Sequence, residues 1–257
     1  MRLTRHLAQA GIASRRQADA LVQAGKVLVN GKIITEPWYE VAETDKIKVE
    51  GKGVVEKAVT MVYLLNKPKG VVCSTVKQGT AKIITELLPP HPKVVPVGRL
   101  DKESEGLIIL TNDGELANKL LHPSYAHERE YQVTCKPQDG YKLTEEQLVA
   151  KLIAGVKLGD GKAHAVKAQV RTLPEGGISL RIVVVEGRQH LVRRMCAVLK
   201  LDVKKLRRIR IGSLELHGLS LGSFKVLGKQ DLSFLRSSVR KAAPKKVAVT
   251  EEGNEAS

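Results

Sequence analysis

The residue best placed to do chemistry in this sequence is a loop aspartate. The stretch GRLDKESEGL (98–107) puts Asp101 at the carboxyl end of a strand-like run, VVPVGRL. A carboxylate at such a point is held by rigid backbone while its side chain faces open space, as catalysis requires. The same D-x-x-S-x-G spacing is also common in turns, where the aspartate accepts hydrogen bonds from nearby backbone N–H groups. From the spacing alone, the turn interpretation is favoured.

A second candidate is the concentration of basic residues at 188–210, RQHLVRRMCAVLKLDVKKLRRIR. It contains nine Lys or Arg residues and one acid, Asp202. Arg193 and Arg194 fall near the start of a predicted helix whose apolar residues must be buried. An exposed basic helix face explains most of these charges. Arginines that flank buried positions can also meet a phosphate, or a carboxylate on an adjacent sheet.

The sequence lacks the motifs of several other kinds of site. The seven histidines include no pair at the spacing of a zinc site. There is no G-x-S-x-G elbow and no phosphate-binding or dinucleotide glycine pattern. Cys73, Cys135 and Cys196 are odd in number and about sixty residues apart, so they indicate neither a disulfide framework nor a CxxC metal pair. We therefore expect no metal and no cofactor.

The charge balance points to a polyanionic partner. The 257 residues carry a formal net charge of +16, which is typical of a globular protein that meets nucleic acid. A membrane surface is the competing polyanion. However, no apolar run approaches the roughly 18 residues of a spanning helix, and the N-terminus has no apolar signal core. We expect a monomeric cytoplasmic protein with no membrane partner.

The first 50 residues should form a unit of two helices and a β-hairpin. Ser14 is suited to cap the second helix, with Gln17 completing a capping box, and Gly25 is suited to end it. Asn30-Gly31 separates two alternating runs, which is the strongest short hairpin signal. The segment DKIKVEG predicts a further short strand. The sequence thus predicts a compact helix-helix-hairpin unit.

Positive charge is unevenly placed on this unit. Arg15 and Arg16 fall in the first turn of the second helix, where positive charge is unfavourable for the helix dipole. Contact with phosphate accounts for them better than a solvated face does. The phosphate-contacting candidates of the unit are Arg2, Arg5, Arg15, Arg16, Lys26 and Lys32.

The stretch RLTRHLAQAGIASRRQADALVQAGKVLVNGK resembles the S4 RNA-binding domain over its whole two-helix and hairpin core. Arg5 is a minor departure from the family pattern. The resemblance implies RNA binding through the two-helix face. A Gly- and Lys-rich segment then ends the unit, and the segment after Ser237 lacks periodicity and bulky residues. The predicted organisation is an S4-like domain at 1–50, a linker at 51–58, a larger domain at 59–236 and a disordered tail at 237–257.

The larger domain should alternate strands and helices. MVYLLNKPKGVVCS predicts a strand, a turn and a second strand, and KIITELLP predicts a short helix. GLIILTNDGELANKLLHP predicts a strand, an Asn-Asp-Gly turn and a helix. REYQVTC, KAQVRTL and ISLRIVVVEG have the composition of strands, and HLVRRMCAVLKL has helical spacing.

The stretch VGRLDKESEGLIILTNDGELANKLLHP resembles the catalytic motif of the RsuA/RluB-type pseudouridine synthases of ribosomal RNA. LLNKPKGVVCS, EREYQV and EGRQHLVRRMCAVLKLDVKKLRRIRIGSLEL resemble three further motifs of that family in order and spacing. With the S4-like domain, the resemblance covers residues 2 to about 235. It implies an α+β fold in which a mainly antiparallel mixed sheet is flanked by helices. It also implies conversion of uridine to pseudouridine in ribosomal RNA, which requires neither metal nor cofactor.

The resemblance also assigns roles to individual residues. Asp101 matches the catalytic aspartate, and Arg193 matches the arginine that pairs with it. Tyr131 matches the tyrosine that stacks on the uracil. Val192 matches an apolar position against the uracil, and Arg99 matches a residue that supports the extruded nucleotide or its phosphate. Attack by the aspartate on the ribose, attack on the ring, and proton removal at C2′ all remain open.

Two positions depart from the family pattern. Leu191 stands where a polar residue is common, which indicates altered substrate contacts, and Arg129 replaces a lysine before the tyrosine with its charge preserved. The predicted function is an RNA pseudouridine synthase acting on large-subunit ribosomal RNA, with small-subunit RNA as the alternative substrate. A ribosomal subunit or an assembly intermediate is a further expected partner. The competing hypotheses are a non-catalytic RNA-binding or ribosome-assembly factor on the same scaffold and, less favoured, a hydrolytic nucleosidase.

Overall fold

The computed structural model describes residues 1–55, 59–77, 79–122 and 127–238, without the side chains of residues 234 and 236–238. Of the tail predicted at 237–257, residues 239–257 lie outside the described part. Residues 237 and 238 belong to the last helix. No helix in the described ranges is long and apolar enough to cross a membrane.

The N-terminal unit consists of two helices and a four-stranded sheet. Its elements are α1 (Leu3–Gln9), α2 (Arg15–Gln23), β1 (Val27–Val29), β2 (Lys32–Ile33), β3 (Ile47–Val49) and β4 (Gly53–Val54). The strand order is β2-β1-β3-β4. Apolar side chains of both helices and of β1 and β3 form one buried core beneath this sheet.

The local signals of the N-terminal unit act as the sequence predicts. The backbone N–H of Gln17 donates to Ser14 Oγ (3.3 Å), and the N–H of Ser14 donates back to Gln17 Oε1 (3.0 Å). Gly25 follows α2 with a φ of +68°, where only glycine is unstrained, and so ends the helix. Asn30 and Gly31 both have positive φ between β1 and β2, as a two-residue hairpin turn requires.

The predicted linker (51–58) begins before the N-terminal unit ends. Strand β4 (Gly53–Val54) pairs with β3, and Val55 is buried in the core of the N-terminal unit, although all three residues lie in the stretch predicted as a linker (51–58). The two-residue strand was hidden because its side chains are exposed and its composition is that of a loop. Residues 56–58 lie outside the described part of the chain.

The second unit carries the larger sheet and most of the helices. Its elements are β5 (Val62–Lys67), a 3₁₀ turn (Ile84–Leu87), β6 (Val95–Val97), β7 (Glu105–Thr111), α3 (Gly114–Leu121), β8 (Arg129–Pro137), α4 (Glu145–Ala154), β9 (Val156–Leu158), β10 (Gly161–Ala163), β11 (Lys167–Thr172), β12 (Ile178–Val184), α5 (Leu191–Val198), β13 (Leu201–Ile211), β14 (Leu214–Glu215), β15 (Phe224–Val226) and α6 (Lys229–Ser238).

A nine-stranded sheet organises this unit. Its main order is β11-β12-β8-β13-β7-β5-β15, with β14 beside β13 and β6 beside β7. Among the described strands only β7 and β13 run parallel, and the other pairings are antiparallel. Helices α4 and α5 pack on β8, β12 and β13, whereas α3 and α6 pack on β5 and β7. The prediction of a mainly antiparallel mixed sheet flanked by helices is confirmed.

Some elements differ from the sequence prediction. The segment after Gly70 makes only an isolated bridge, Val72 to Ile83, instead of a second strand. The predicted helix at 82–89 is a single 3₁₀ turn. Helix α4 and the long strand β13 were not recognised from the sequence. In β13, basic side chains interrupt the apolar ones without a regular alternation, and irregular register at two points breaks the two-residue period.

The large sheet has two halves, one built from β8 and β11–β14 and the other from β5, β6, β7 and β15. They meet where β13 pairs with β7, and this pairing is very short. Strands β7 and β13 pair through only two positions, Arg207 with Glu105 and Arg208 with Gly106. Gly106 has a φ of +108°, and a Cβ built on it would lie 2.2 Å from the carbonyl oxygen of Arg208. Glycine is therefore required at the point where the strands touch. Beyond that point β7 and β13 diverge, and the sheet opens.

We predict that Gly106→Ala lowers the free energy of unfolding by about 2–4 kcal/mol, because the new methyl group meets backbone in an unfavourable region of φ. Urea denaturation measures the change. Gly114→Ala is the control: a Cβ there has nothing within 4 Å and its φ is not positive. Equal stability of the two variants would contradict the steric account.

Candidate functional site

A cavity of about 310 Å³ lies where β7 and β13 diverge. The loop after β6, the first residues of β8, the end of β13 and the segment that leads into α5 all contribute to its wall. The charged and aromatic side chains that line it include Arg99, Asp101, Arg129, Tyr131, His190 and Arg208. Elements far apart in sequence therefore converge on one opening.

Asp101 lies on the cavity wall with its side chain about one-third exposed (32%). Its carbonyl accepts a hydrogen bond from the N–H of Ser104 (3.0 Å), and Ser104 Oγ donates to its carboxylate (3.4 Å). Asp101 is thus a turn residue and a cavity residue at once. The turn sets the direction of the side chain and leaves the carboxylate accessible from the cavity.

Two basic side chains of the α5 segment approach this carboxylate. Arg193 Nε lies 3.9 Å from Asp101 Oδ2, and His190 Nδ1 lies 3.6 Å from the same oxygen. Arg193 also donates through Nη2 to the carbonyl of Glu103 (3.1 Å) and to Ser104 Oγ (3.2 Å). The guanidinium of Arg193 therefore holds the loop that carries Asp101 by hydrogen bonds, and it also lies near the Asp101 carboxylate.

His190 was not singled out from the sequence. It precedes α5 in a left-handed conformation, with a φ of +53°, which is uncommon for a residue other than glycine. This backbone turn directs the ring toward Asp101. The only sequence signal was its position between Arg188 and Arg193 in the basic stretch.

Tyr131 and two arginines form the opposite side of the cavity. Tyr131 is half-buried on β8, between the apolar cores on either side of it, and it pairs in register with Arg208 on β13. Arg208 is buried (3% exposed), and its Nε donates to the carbonyl of Leu107 (2.8 Å) across the sheet opening. Burial lowers the pKa of Arg129, which donates to the carbonyls of His127 (3.3 Å) and Val185 (3.4 Å). The cavity wall thus carries several positive charges around Asp101, and its other carboxylate, Glu186, is paired with Arg188 (2.7 Å).

The apolar part of the wall comes from α5. Val192 is buried and lines the cavity. Leu191, which replaces the expected polar residue, is also buried (5% exposed) and lines the cavity while packing in the core of α4 and α5. The departure at Leu191 therefore makes this part of the wall apolar. Arg99 lines the cavity from the loop before Asp101.

Comparison with known proteins agrees with this geometry. Residues 61–198 match the family model for RNA pseudouridylate synthase, and residues 1–47 match the model for the S4 domain. This chain belongs to the RNA pseudouridylate synthase family.

The similarity extends over nearly the whole chain. The chain is 36% identical over 239 residues to the ribosomal large subunit pseudouridine synthase B of Bacillus subtilis, covering 92% of this chain and 96% of that one. It is 37% identical over 235 residues to the dual-specificity RNA pseudouridine synthase RluF of Escherichia coli K12, covering 90% and 77%. A crystal structure of a pseudouridylate synthase superposes with a TM-score of 0.60 at 28% identity, covering 91% of this chain and 99% of that one.

Membership of the pseudouridylate synthase family confirms the predicted S4 domain, fold class and enzyme class. The protein is a pseudouridine synthase, an isomerase that acts on RNA. The described residues contain no group of three or more His, Cys, Asp or Glu side chains that could hold a metal ion.

A buried lysine supports the synthase's aspartate loop. Lys67, at the end of β5, is fully buried and donates to the carbonyls of Ser104 (2.7 Å), Pro68 (3.1 Å) and Lys102 (3.4 Å). Burial lowers the pKa of Lys67, and the negative charges of the nearby acids partly oppose this. Three carbonyls around one ammonium fix the path of the chain just after Asp101. The sequence showed Lys67 only as part of LLNKPKG.

A second support is a charged clamp behind α5, formed by Asp160, Arg188 and Arg194. Asp160 lies in the turn between β9 and β10, and its carboxylate accepts hydrogen bonds from both arginines. Arg188 also donates to the backbone carbonyls of Asp160, Gly161 and Lys162. The hydrogen bond from Arg194 lowers the pKa of Asp160 to about 2, so this carboxylate is ionised at neutral pH. The clamp holds the segment that presents His190 and Arg193.

The candidate RNA-contacting residues of the S4 domain differ in their surroundings. Arg2, Arg15, Arg16 and Lys32 are exposed. The two other candidates have ion partners: Lys26 Nζ lies 3.5 Å from a carboxylate oxygen of Glu50, and Arg5 Nη2 lies 2.8 Å from one of Glu115. Because Glu115 belongs to α3, the structure places Arg5 between the two units of the chain.

We predict that Asp160→Asn lowers kcat for pseudouridine formation about 10- to 100-fold, because small displacements of aligned groups cost rates of that order. RNA affinity should change little, since Asp160 is engaged with protein groups. Steady-state kinetics on RNA separate the two parameters, and Asp160→Glu should recover part of the lost rate.

The matched control for Asp160→Asn is Asp202→Asn, which breaks an exposed ion pair with Lys204 (2.6 Å) away from the cavity. That variant should keep the wild-type kcat. An unchanged kcat in Asp160→Asn, with the fold intact by thermal unfolding, would show that the clamp does not position the site.

Proposed function

We propose that this pseudouridine synthase modifies uridine in ribosomal RNA of the large subunit, with Asp101 as its catalytic carboxylate. The observation that carries the proposal is the position of Asp101 on the wall of a cavity that Tyr131 also lines, with Arg193 Nε 3.9 Å from the Asp101 carboxylate. The large-subunit substrate is supported by the similarity to the ribosomal large subunit pseudouridine synthase B of Bacillus subtilis. Small-subunit RNA is the alternative substrate.

The reaction itself explains why one carboxylate suffices. The bond between uracil N1 and ribose C1′ breaks, the ring turns, and C5 bonds to C1′; C5 then loses its proton and N1 takes one up. Nothing is oxidised, reduced or hydrolysed overall. A carboxylate can act as nucleophile, or it can stabilise positive charge that develops at the sugar. Asp101 stands on the cavity wall where either role is open to it.

The positive wall provides the Asp101 carboxylate with cationic neighbours. A carboxylate enclosed by a base loses hydration, and nearby cations offset that loss. Arg193 supplies a permanent positive charge, and His190 a donor when its Nδ1 carries hydrogen. Lys67 and the Asp160 clamp then hold the two sides of this pair in place.

The remaining side chains suit an extruded nucleotide. A base must leave the helical stack because C1′ and both ring faces have to be reached. Tyr131 offers an aromatic surface on one side of the cavity, and Val192 with Leu191 offers an apolar one on the other. Arg99 and Arg129 are suited to the negative phosphate at the mouth of the cavity.

The S4 domain is proposed to bring the RNA to this cavity. In this proposal the S4 domain runs from residue 1 through the buried Val55, and the catalytic domain runs from residue 59 through α6. The exposed Arg2, just before α1, and Arg15 and Arg16 of α2 are suited to RNA phosphates. A ribosomal subunit or an assembly intermediate is the proposed partner. Ribosomal RNA as substrate implies that the protein works in the cytoplasm.

We predict that Asp101→Asn lowers the rate of pseudouridine formation by about 10⁴-fold or more, as loss of a catalytic side chain does. RNA binding should persist, because Asn keeps the shape and removes only the charge. Release of tritium from ribosomal RNA labelled at uracil C5 measures the reaction. Glu103→Gln is the control: Glu103 lies in the same loop and its carboxylate pairs with exposed Lys69 (2.9 Å).

Tritium release at equal rates from wild type and Asp101→Asn would reject the role of Asp101. Binding of RNA without release by any form would favour the assembly-factor hypothesis. Free uracil among the products would instead indicate hydrolysis.

We also predict that Arg15→Ala with Arg16→Ala weakens RNA binding and leaves kcat unchanged. Each lost phosphate contact should reduce the slope of log affinity against log salt by about 0.7–0.9. A salt titration of binding to ribosomal RNA measures both effects. Wild-type affinity and slope in the double variant would exclude these arginines from the RNA interface.

A further inference from the structure

We call the cavity lined by Asp101 and Tyr131 the reactive cavity. A second cleft lies on the opposite face of the large sheet. Side chains alternate between the two faces of a strand, so Tyr131 faces the reactive cavity whereas Glu130 lines the second cleft. On β13, Arg208 and Arg207 divide in the same way. We call this second opening the far cleft; its volume is about 270 Å³, and its charged lining consists of Glu130, Arg181, Arg207, Arg210, Glu215 and His217.

The carboxylates of the far cleft are already paired. Glu130 accepts from Arg181 (2.7 Å) and from Arg210 (2.9 Å). Arg210 also pairs with Glu128 (2.8 Å), and Glu215 lies 2.8 Å from His217. Among the described charged groups of the cleft, one guanidinium takes part in none of these pairs.

That guanidinium belongs to Arg207. It forms no ion pair with any described carboxylate, and its Nε is buried without a hydrogen-bond acceptor in the described part of the chain. A buried donor that lacks an acceptor is destabilising, and native structures rarely retain one without a reason. An anion that enters the far cleft would satisfy it. The planar guanidinium fork is suited to the oxygens of a phosphate.

The surrounding strands extend this positive surface. Gln169, Arg181, Gln132 and Arg207 stand opposite one another on four neighbouring strands. Exposed cations of the same face lie beside this row, namely Lys167, Arg171 and Lys205. Arg171 has a nearby acid in Glu145, and Lys205 pairs with Glu105 (3.4 Å), so Arg207 and Lys167 are the cations left most available.

We propose that the far cleft binds a backbone phosphate of the RNA substrate, at a distance from the reacting nucleotide. The exposed side chains of this sheet face include no aromatic ring on β8, β11, β12 or β13, so it offers nothing for bases to stack on. The cleft would contact the sugar-phosphate backbone of the RNA, so its binding would be independent of the RNA sequence. The chain's net charge of +16 and its action on RNA favour RNA over an acidic protein as the occupant.

The far cleft should contribute to RNA affinity and leave the chemical step unchanged. Arg207 faces away from Asp101 and contacts no residue placed in the catalytic machinery by hydrogen bond or ion pair in the described structure. Its contact with phosphate would be the same before and during the reaction, and such uniform binding affects KM alone.

The test is Arg207→Glu, with Arg207→Gln as a milder variant, assayed on large-subunit ribosomal RNA transcript labelled at uracil C5. We expect KM to rise about tenfold in Arg207→Glu, with kcat unchanged. In Arg207→Gln the salt slope of binding should fall by about 0.7–0.9, as for one lost phosphate contact. Arg207→Lys should retain most of the affinity. Thermal unfolding verifies that each variant is folded.

Lys204→Glu is the matched control, because Lys204 lies on the same strand, is exposed and pairs only with Asp202 (2.6 Å) among described carboxylates. An equal rise in KM in this control would overturn the proposal by showing a general effect of net charge. Wild-type KM and salt slope in both Arg207→Glu and Arg207→Gln would also overturn it. The proposal rests on ribosomal RNA as substrate: if that is wrong, the wild type itself releases no tritium, whereas failure of the far cleft leaves wild type and variants equally active.

Discussion

The close approach of Gly106 to Arg208 is the constraint on which the rest of the structure depends. It is one of the two adjacent positions at which the parallel strands β7 and β13 pair, and the backbone there leaves no room for a Cβ. Because the strands touch so briefly, they separate on one side and create the reactive cavity. Arg208 reaches from β13 to the carbonyl of Leu107 and so ties the two halves of the sheet together. The same contact therefore joins the two halves of the sheet and leaves the gap between the strands in which the site lies.

The charges of the site follow from this arrangement. Asp101 comes from one half of the sheet, whereas Arg193 and His190 come from the helix that packs on the other half. Attraction across the opening brings the two halves together on the carboxylate. Each partner has its own support, Lys67 under the aspartate loop and the Asp160 clamp behind α5. An enclosed carboxylate needs such fixed cations, because a base that fills the cavity excludes the water that would otherwise solvate the carboxylate.

Much of the N-terminal domain could be predicted because its signals are local. A capping serine, a helix-ending glycine and an Asn-Gly turn each act within a few residues, and all three operate in the structure as expected. The candidate residues of the site could be named from their motifs. The structure brings Arg99, Asp101, Tyr131 and Val192 to the wall of one cavity, and it places Arg193 beside the Asp101 carboxylate. Their catalytic and binding roles remain predictions. His190, Lys67 and Asp160 could not be found in this way, since each acts through a partner distant in sequence.

The sequence by itself determined the family, the two-part organisation, the positive charge and the set of residues gathered in the cavity. These follow from residue types and from spacing along one chain. Only the tertiary structure decided that Arg5 pairs with Glu115, that Asp160 anchors the α5 segment, and that Arg207 and Arg208 serve opposite faces of one sheet. The physical reason is that ion pairs and buried hydrogen bonds depend on the separation of atoms in space. Segments 34 and 110 residues apart contribute to these pairs, and no local pattern records their meeting.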